Sequence, residues 1–279
     1  MSRGPTCPAC GSEELGPGPA AHPSPELFRT CVRCGLASAV CREDPGSEWY
    51  QQSGLYPEGE LMHHLDWRER RFFEHLQPRA GGRLLDLGCG DGRFLAHARE
   101  RGWRVQGLDA SPVAARRAMD ERGVQVQVHD LSGGALPAEA GSLEAVTAFE
   151  LIEHLGDPLQ LLRGARGLLQ PGGKLVVTVP RLDRRPALFH PAVDSPPHHM
   201  TLWTESALRS VLRGAGFDQV EIHAPPLHPR ELYLHSVWGR GGAGRPWSEV
   251  GHKVRAGLAA MLLVATGRAA GHSLWACAS

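Results

Sequence analysis

Lysine is almost missing from this chain. Among its 279 residues only Lys174 and Lys253 are lysines, and arginine supplies the rest of the 30 cations that balance 30 Asp and Glu. The charges divide as 8 cations against 11 anions over residues 1–80, 11 against 12 over 81–180 and 11 against 7 over 181–279. No stretch is basic enough to argue for a phosphate-backbone partner, so no nucleic acid is expected. Long apolar runs are missing too. The longest, Leu258 to Thr266, falls far short of the roughly 20 residues that cross a bilayer. No leader pattern opens the chain either, because Pro5, Cys7, Pro8 and Cys10 interrupt it at once. These absences place the chain in the cytoplasm, where seven cysteines point to metal or chance rather than disulfides. At 42% apolar residues, the length suffices for one main domain with a small accessory one.

Four of the cysteines come in pairs. CPAC, with Cys7 and Cys10, and CVRC, with Cys31 and Cys34, are each followed by a glycine. A C-x2-C turn aims both thiolates at one ion, and two such turns complete a tetrahedral four-sulfur site. The spacing predicts a structural zinc ribbon over residues 1–41, with ligation supplying most of its folding energy. Residues 1–60 carry 4 Arg against 8 Asp and Glu, so the ribbon is acidic. That favours a lid over an acceptor pocket rather than a nucleic-acid dock. Trp49, Tyr50 and Tyr56 follow as aromatic surface. Residues 42–80 then form a helical linker or lid segment, with a helix over LMHHLDWRERRFFEHL.

From Arg83 the pattern alternates. Apolar runs at 83–87, 104–108, 124–129, 144–149 and 174–179 read as strands, with helices around 92–101, 112–122 and 157–169 between them. That alternation predicts an α/β fold, a Rossmann-like, doubly wound and mostly parallel sheet. Further on, ESALRSVLRGAGF reads as a helix capped by Thr204, DQVEIHA as a strand, residues 253–266 as an apolar helix and SLWACAS as a last strand. The apolar stretch near Leu258–Val264 leaves open docking on a membrane or a homodimer.

LLDLGCGDGRFL, residues 84–95, reads as a buried strand, a glycine turn and a helix start. Such a turn holds a pyrophosphate in dinucleotide sites. Here Asp86 and Asp91 would repel one. Three carboxylates fall at successive strand ends: Asp86, then Asp109 of GLDAS, placed to grip ribose hydroxyls, then Asp130 of HDLS, placed to meet an adenine amino group. Asp86 with Gly88 and Gly90 would face a cationic end. A nucleoside bearing a sulfonium and an amino acid has that polarity; NAD does not.

Together with FELIEHLGDP, LLQPGGKLVVTVP and PPHHMTLWTESALRSVLRGAGF, these segments resemble the class I S-adenosylmethionine-dependent methyltransferases. More narrowly, they resemble the ubiquinone/polyketide-type small-molecule enzymes, over roughly residues 50–223. The resemblance implies a sheet whose last strand is reversed. It implies S-adenosyl-L-methionine held by Asp86, Gly88, Gly90, Asp109, Ala110, Asp130, Leu131 and Glu150. It also implies a methyltransferase domain over residues 81–279, with acceptor-pocket insertions at 181–205 and 224–272, and no catalytic role for Cys89.

If FELIEHLGDP opens a helix, Glu150, Glu153 and His154 share one face. Such a trio serves as a base cluster, as ligands of a divalent ion, or as a solvated helix start. The resemblance puts the Glu-His pair and the His198-His199 loop beside the acceptor pocket, so His199 joins the candidates for catalysis. The expected reaction is methyl transfer to a small-molecule acceptor, most plausibly at oxygen. An RNA or protein methyltransferase and a non-catalytic cofactor-binding scaffold are the alternatives.

Overall fold

A strand covered on both faces must be apolar on both, and Arg83–Leu87 (β4) is: Leu84, Leu85 and Leu87 are fully buried. This strand lies in the interior of a seven-stranded sheet in a computed structural model that describes residues 6–41, 45, 46, 49, 65–133, 136–184, 193–225 and 272–279. A second, four-stranded sheet is built from the N-terminal strands Leu15–Pro17 (β1), Phe28–Cys31 (β2) and Ala37–Ala39 (β3), with Thr201–Leu202 (β9) at its end.

The remaining strands of the large sheet are Arg104–Asp109 (β5), Val126–Val128 (β6), Leu143–Phe149 (β7), Leu169–Pro180 (β8), Val220–His223 (β10) and Ser273–Ala278 (β11). Their order is β10-β11-β8-β7-β4-β5-β6. From β8 to β6 every pairing is parallel, while β11 runs antiparallel to both β8 and β10. The sheet is therefore mostly parallel with a reversed last strand, as the motifs imply. Two boundaries differ from the periodicity. The run at 124–129 shortens to β6, and the strand expected at 174–179 is the second half of the 12-residue β8.

Among the described residues five α-helices pack on the sheet: Trp67–His75 (α1), Arg93–Glu100 (α2), Pro112–Arg122 (α3), Pro158–Leu168 (α4) and Glu205–Gly214 (α5). Their starts follow local chemistry. Ser111, Asp157 and Thr204 each cap a helix by accepting a backbone N–H. Asp66 and Glu69 form a reciprocal capping box that starts α1. The predicted helix thus begins no earlier than Trp67 among the described residues, and residues 61–64 lie outside them. So do Tyr50, Tyr56, the apolar helix expected at 253–266 and most of the 224–272 insertion. Among the described residues no helix is long and apolar enough to cross a membrane.

The two sheets are joined. Ser38 and Ala37 pair with Thr201 and Leu202, and the Ala39 amide donates to the Met200 carbonyl at 2.8 Å. The N-terminal sheet therefore takes its last strand from the 181–205 insertion.

Candidate functional site

The glycine turn sits at the C-terminal end of β4. Gly88 and Gly90 adopt φ of 67° and 55°, which side chains rarely tolerate. A Cβ on Gly88 would come within 2.9 Å of Leu151, whereas the space over Gly90 is open. The Gly90 amide donates to Asp109 Oδ2 at 2.8 Å, and the Ser111 amide donates to Asp109 Oδ1 at the same distance. Asp109 thereby ties the turn to the end of β5. Asp86 is buried and accepts from Thr147 Oγ1 at 2.6 Å; burial pushes its carboxyl well above the usual range. Asp130 lies past β6, exposed, and its Oδ1 accepts from the Ser132 amide. Ala110 is exposed beside Asp109, and Leu131 is buried. Asp91 accepts from the Arg93 amide at 3.2 Å through Oδ1 and pairs with Arg122 at 2.8 Å through Oδ2, so its charge is neutralised within the turn.

FELIEHLGDP does not open an α-helix. After β7, Glu150 takes a left-handed φ of 48°, and Ile152–His154 forms a single 3-10 turn. The reason is register: the Glu150 amide is held by both the carbonyl and the Oγ1 of Thr178 on β8, so the chain cannot coil there. Glu150 consequently parts from Glu153 and His154, which remain neighbours. Glu150 Oε1 lies 3.1 Å from Arg68 Nε, while Arg68 also donates to Asp66 and to Ser273 of β11. Glu153 is buried, and neither of its carboxylate oxygens has a hydrogen-bond partner. Burial, with Glu150 nearby, pushes its carboxyl well above the usual range. His154 Nδ1 bonds the His198 carbonyl at 2.8 Å, and its Nε2 lies 3.9 Å from Glu153 Oε1. Burial, reinforced by His198, pulls His154 down to about 4.

The PPHH segment closes over this turn. The Met200 amide donates to the Glu153 carbonyl at 2.7 Å, and Thr201 Oγ1 donates to the Ile152 carbonyl at 3.2 Å. His154, His198 and His199 come together as a buried trio. Trp49 stands 6.1 Å from the His198 ring, and of Trp49, Tyr50 and Tyr56 it is the one among the described residues.

A family model described as a methyltransferase domain matches residues 62–222, more than half of the chain. The ubiquinone biosynthesis O-methyltransferase of Albidiferax ferrireducens is 30% identical over 201 residues, covering 70% of this chain and 73% of its own. The protein of the same name from Xanthomonas axonopodis pv. citri is 43% identical over 122 residues, 42% of this chain and 50% of its own. Among solved structures, a S-adenosylmethionine-dependent methyltransferase from Archaeoglobus fulgidus superposes with a TM-score of 0.55 at 20% identity, covering 76% of this chain and 90% of that one. Phosphoethanolamine N-methyltransferase 2 of Haemonchus contortus, bound to S-adenosyl-L-methionine, gives 0.54 at 20% identity, with coverage of 76% and 52%. The chain belongs to the class I S-adenosylmethionine-dependent methyltransferases. It spans about half the length of several of the curated relatives it matches.

The methyltransferase's cradle fits that cofactor. A buried carboxyl, Asp86, suits a ligand that brings its own cation, and the open space above Gly90 admits close backbone approach. The four N-terminal cysteines also converge. Their Sγ atoms all lie within 4.8 Å of one another, with Cys7–Cys34 and Cys10–Cys31 at 3.5 Å. Four sulfurs about 2.3 Å from a tetrahedral ion would stand about 3.8 Å apart, so the donor set fits zinc. The sequence offered no pointer to Arg68, or to the Glu69–Arg93 pair at 2.8 Å that anchors α1 to α2. Their partners are distant along the chain.

Proposed function

We propose that this methyltransferase transfers a methyl group by in-line displacement to an oxygen of a small-molecule acceptor held beside the 3-10 turn and the His198-His199 loop packed on it. The observation that carries the reading is the position of Glu150, Glu153 and His154 directly after β7, with Leu151 against Gly88 of the glycine turn and His199 brought onto His154 by the loop. The oxygen acceptor is supported by the relatives whose names specify O-methylation.

S-adenosyl-L-methionine, when bound, supplies an electrophilic methyl on a sulfonium. Asp86 and the Gly88–Gly90 turn would hold its amino-acid end, Asp109 and Ala110 the ribose, and Asp130 and Leu131 the adenine edge. Glu150 is oriented by Arg68. His154 is neutral at physiological pH and donates from Nδ1 to a carbonyl, so its Nε2 carries the lone pair that accepts a proton from an acceptor hydroxyl. His199 packs against His154 on the same side, at a ring separation of 5.0 Å. The loop and the N-terminal module exclude water, and alignment of the reactants supplies several kcal/mol of the barrier reduction. Zinc on Cys7, Cys10, Cys31 and Cys34 is structural here, because all four sulfurs are spent on it.

Calorimetric titration of the zinc-containing chain tests the cofactor assignment. Expected is binding of S-adenosylmethionine and S-adenosylhomocysteine but not NAD, weakened at least about tenfold by Asp109→Ala. A folded protein that binds NAD and neither sulfur nucleoside would sink the reading.

A further inference from the structure

The trio of histidines has the arrangement of a ligand set. One ring nitrogen of each of His154, His198 and His199 lies within 4.8 Å of the other two. The rings sit at centroid separations of 4.5, 5.0 and 4.6 Å, His198 stacked on His199 and His154 edge-on to both. Three nitrogens about 2.05 Å from one tetrahedral ion stand about 3.3 Å apart, so closure on an ion requires one of the stacked His198 and His199 rings to turn.

The backs of the rings decide which nitrogen faces inward. Nδ1 of His154 meets the His198 carbonyl at 2.8 Å, and Nδ1 of His198 meets the Val193 carbonyl at 2.7 Å. A carbonyl accepts and never donates, so both nitrogens carry the proton and both lone pairs sit at Nε2. Nδ1 of His199 has a carboxylate behind it, Asp194 Oδ1 at 3.9 Å, which Arg184 holds in place at 2.7 Å. His154 and His198 are thus held as metal-binding imidazoles are, by an acceptor behind the non-ligating nitrogen, whereas Nδ1 of His199 faces its carboxylate without a hydrogen bond.

A second observation points to a cation at the same spot. The Glu153 carboxylate is 1% exposed, has no hydrogen-bond partner on either oxygen, and lies 3.9 Å from His154 Nε2. A buried carboxylate without partners is costly. A positive ion at the three imidazoles removes that cost.

We propose that His154, His198 and His199 bind a divalent transition-metal ion through Nε2, with the Glu153 carboxylate as its neighbouring anion. This set is distinct from the Glu150, Glu153 and His154 trio suggested by sequence spacing, because Glu150 is engaged by Arg68. Imidazole-rich ligation selects zinc, iron(II), cobalt or nickel over magnesium or calcium. Three protein ligands leave a coordination position for an oxygen ligand, such as water or an acceptor hydroxyl. With the ion bound, the Nε2 lone pair of His154 is a ligand and no longer the proton acceptor; the proposal concerns metal binding alone and holds whichever atom is methylated.

Cobalt(II) titration of the full chain separates this site from the cysteines. Cobalt on thiolates gives an intense sulfur-to-metal charge-transfer band in the near ultraviolet, whereas cobalt on imidazoles gives weak visible d–d bands without it. Expected is one cobalt per chain of the second kind, with His199→Ala and His154→Gln each weakening it at least about tenfold and the exposed-side variant His97→Gln leaving it intact. Thermal unfolding establishes that each variant is folded; if His199→Ala is not, His154→Gln carries the test. A wild-type chain without the imidazole-type spectrum, or one whose spectrum survives substitution in a folded variant, overturns the proposal. Because no acceptor or S-adenosylmethionine is present, failure here leaves the methyl-transfer reading to its own titration.

Discussion

Asp86 shows how a single residue trades stability for binding. Its carboxyl is buried against Thr147 and its pKa lies well above the ordinary carboxylate value. The folded state therefore holds the proton more tightly than the unfolded state does. Its contribution is fully present below the unfolded pKa of about 3.9 and is lost as pH rises through the folded value, so at neutral pH the charged form costs stability. Asp86→Asn removes that cost and keeps a group able to bond Thr147. The expected outcome is a higher unfolding midpoint without cofactor, together with at least a tenfold loss of S-adenosylmethionine affinity in calorimetry. Loss of both would mean that Asp86 is structural.

At the scale of elements, α1 and β9 are held by contacts that can be cut individually. Arg93 at the start of α2 makes paired hydrogen bonds of 2.8 and 2.9 Å to Glu69 on α1. Arg93→Ala strands a buried carboxylate and is expected to cost about 3 kcal/mol in urea unfolding. A change below about 0.5 kcal/mol would show the pair to be dispensable. Thr201 of β9 is fully buried; its Oγ1 donates to the Ile152 carbonyl and accepts from Trp203 Nε1 at 3.1 Å. Thr201→Val leaves the indole N–H without its acceptor, with an expected loss of about 2 kcal/mol by the same measurement. The helices themselves were legible in advance because their caps are local: Ser111, Asp157 and Thr204 sit one residue before each start. The 3-10 turn at Ile152–His154 was not, because a distant strand residue, Thr178, overrides the helical spacing of Glu150, Glu153 and His154.

For the molecule as a whole, the N-terminal module and the 181–205 segment are one mechanical unit, since β3 and β9 share a sheet. If the four cysteines hold zinc as proposed, a strong chelator should release that pairing. Hydrogen exchange at Ala39 and Leu202 is expected to accelerate strongly, while S-adenosylhomocysteine affinity changes less than about threefold, because the glycine turn belongs to the other sheet. Parallel loss of cofactor binding would show that the two sheets unfold together. What could be read directly from the order of residues was everything with a short reach: two cysteine turns, the glycine turn with Asp86 and Asp109 at strand ends, and the α/β alternation. Tertiary structure alone assembled the rest. Glu69 meets Arg93 across 24 residues, His154 meets His198 across 44, and Arg68 meets Ser273 across 205. Such pairs carry no periodic or spacing signal. Their partners are chosen by how the sheet and its crossovers stack, and that choice is made by burial of the whole core rather than by any local stretch of chain.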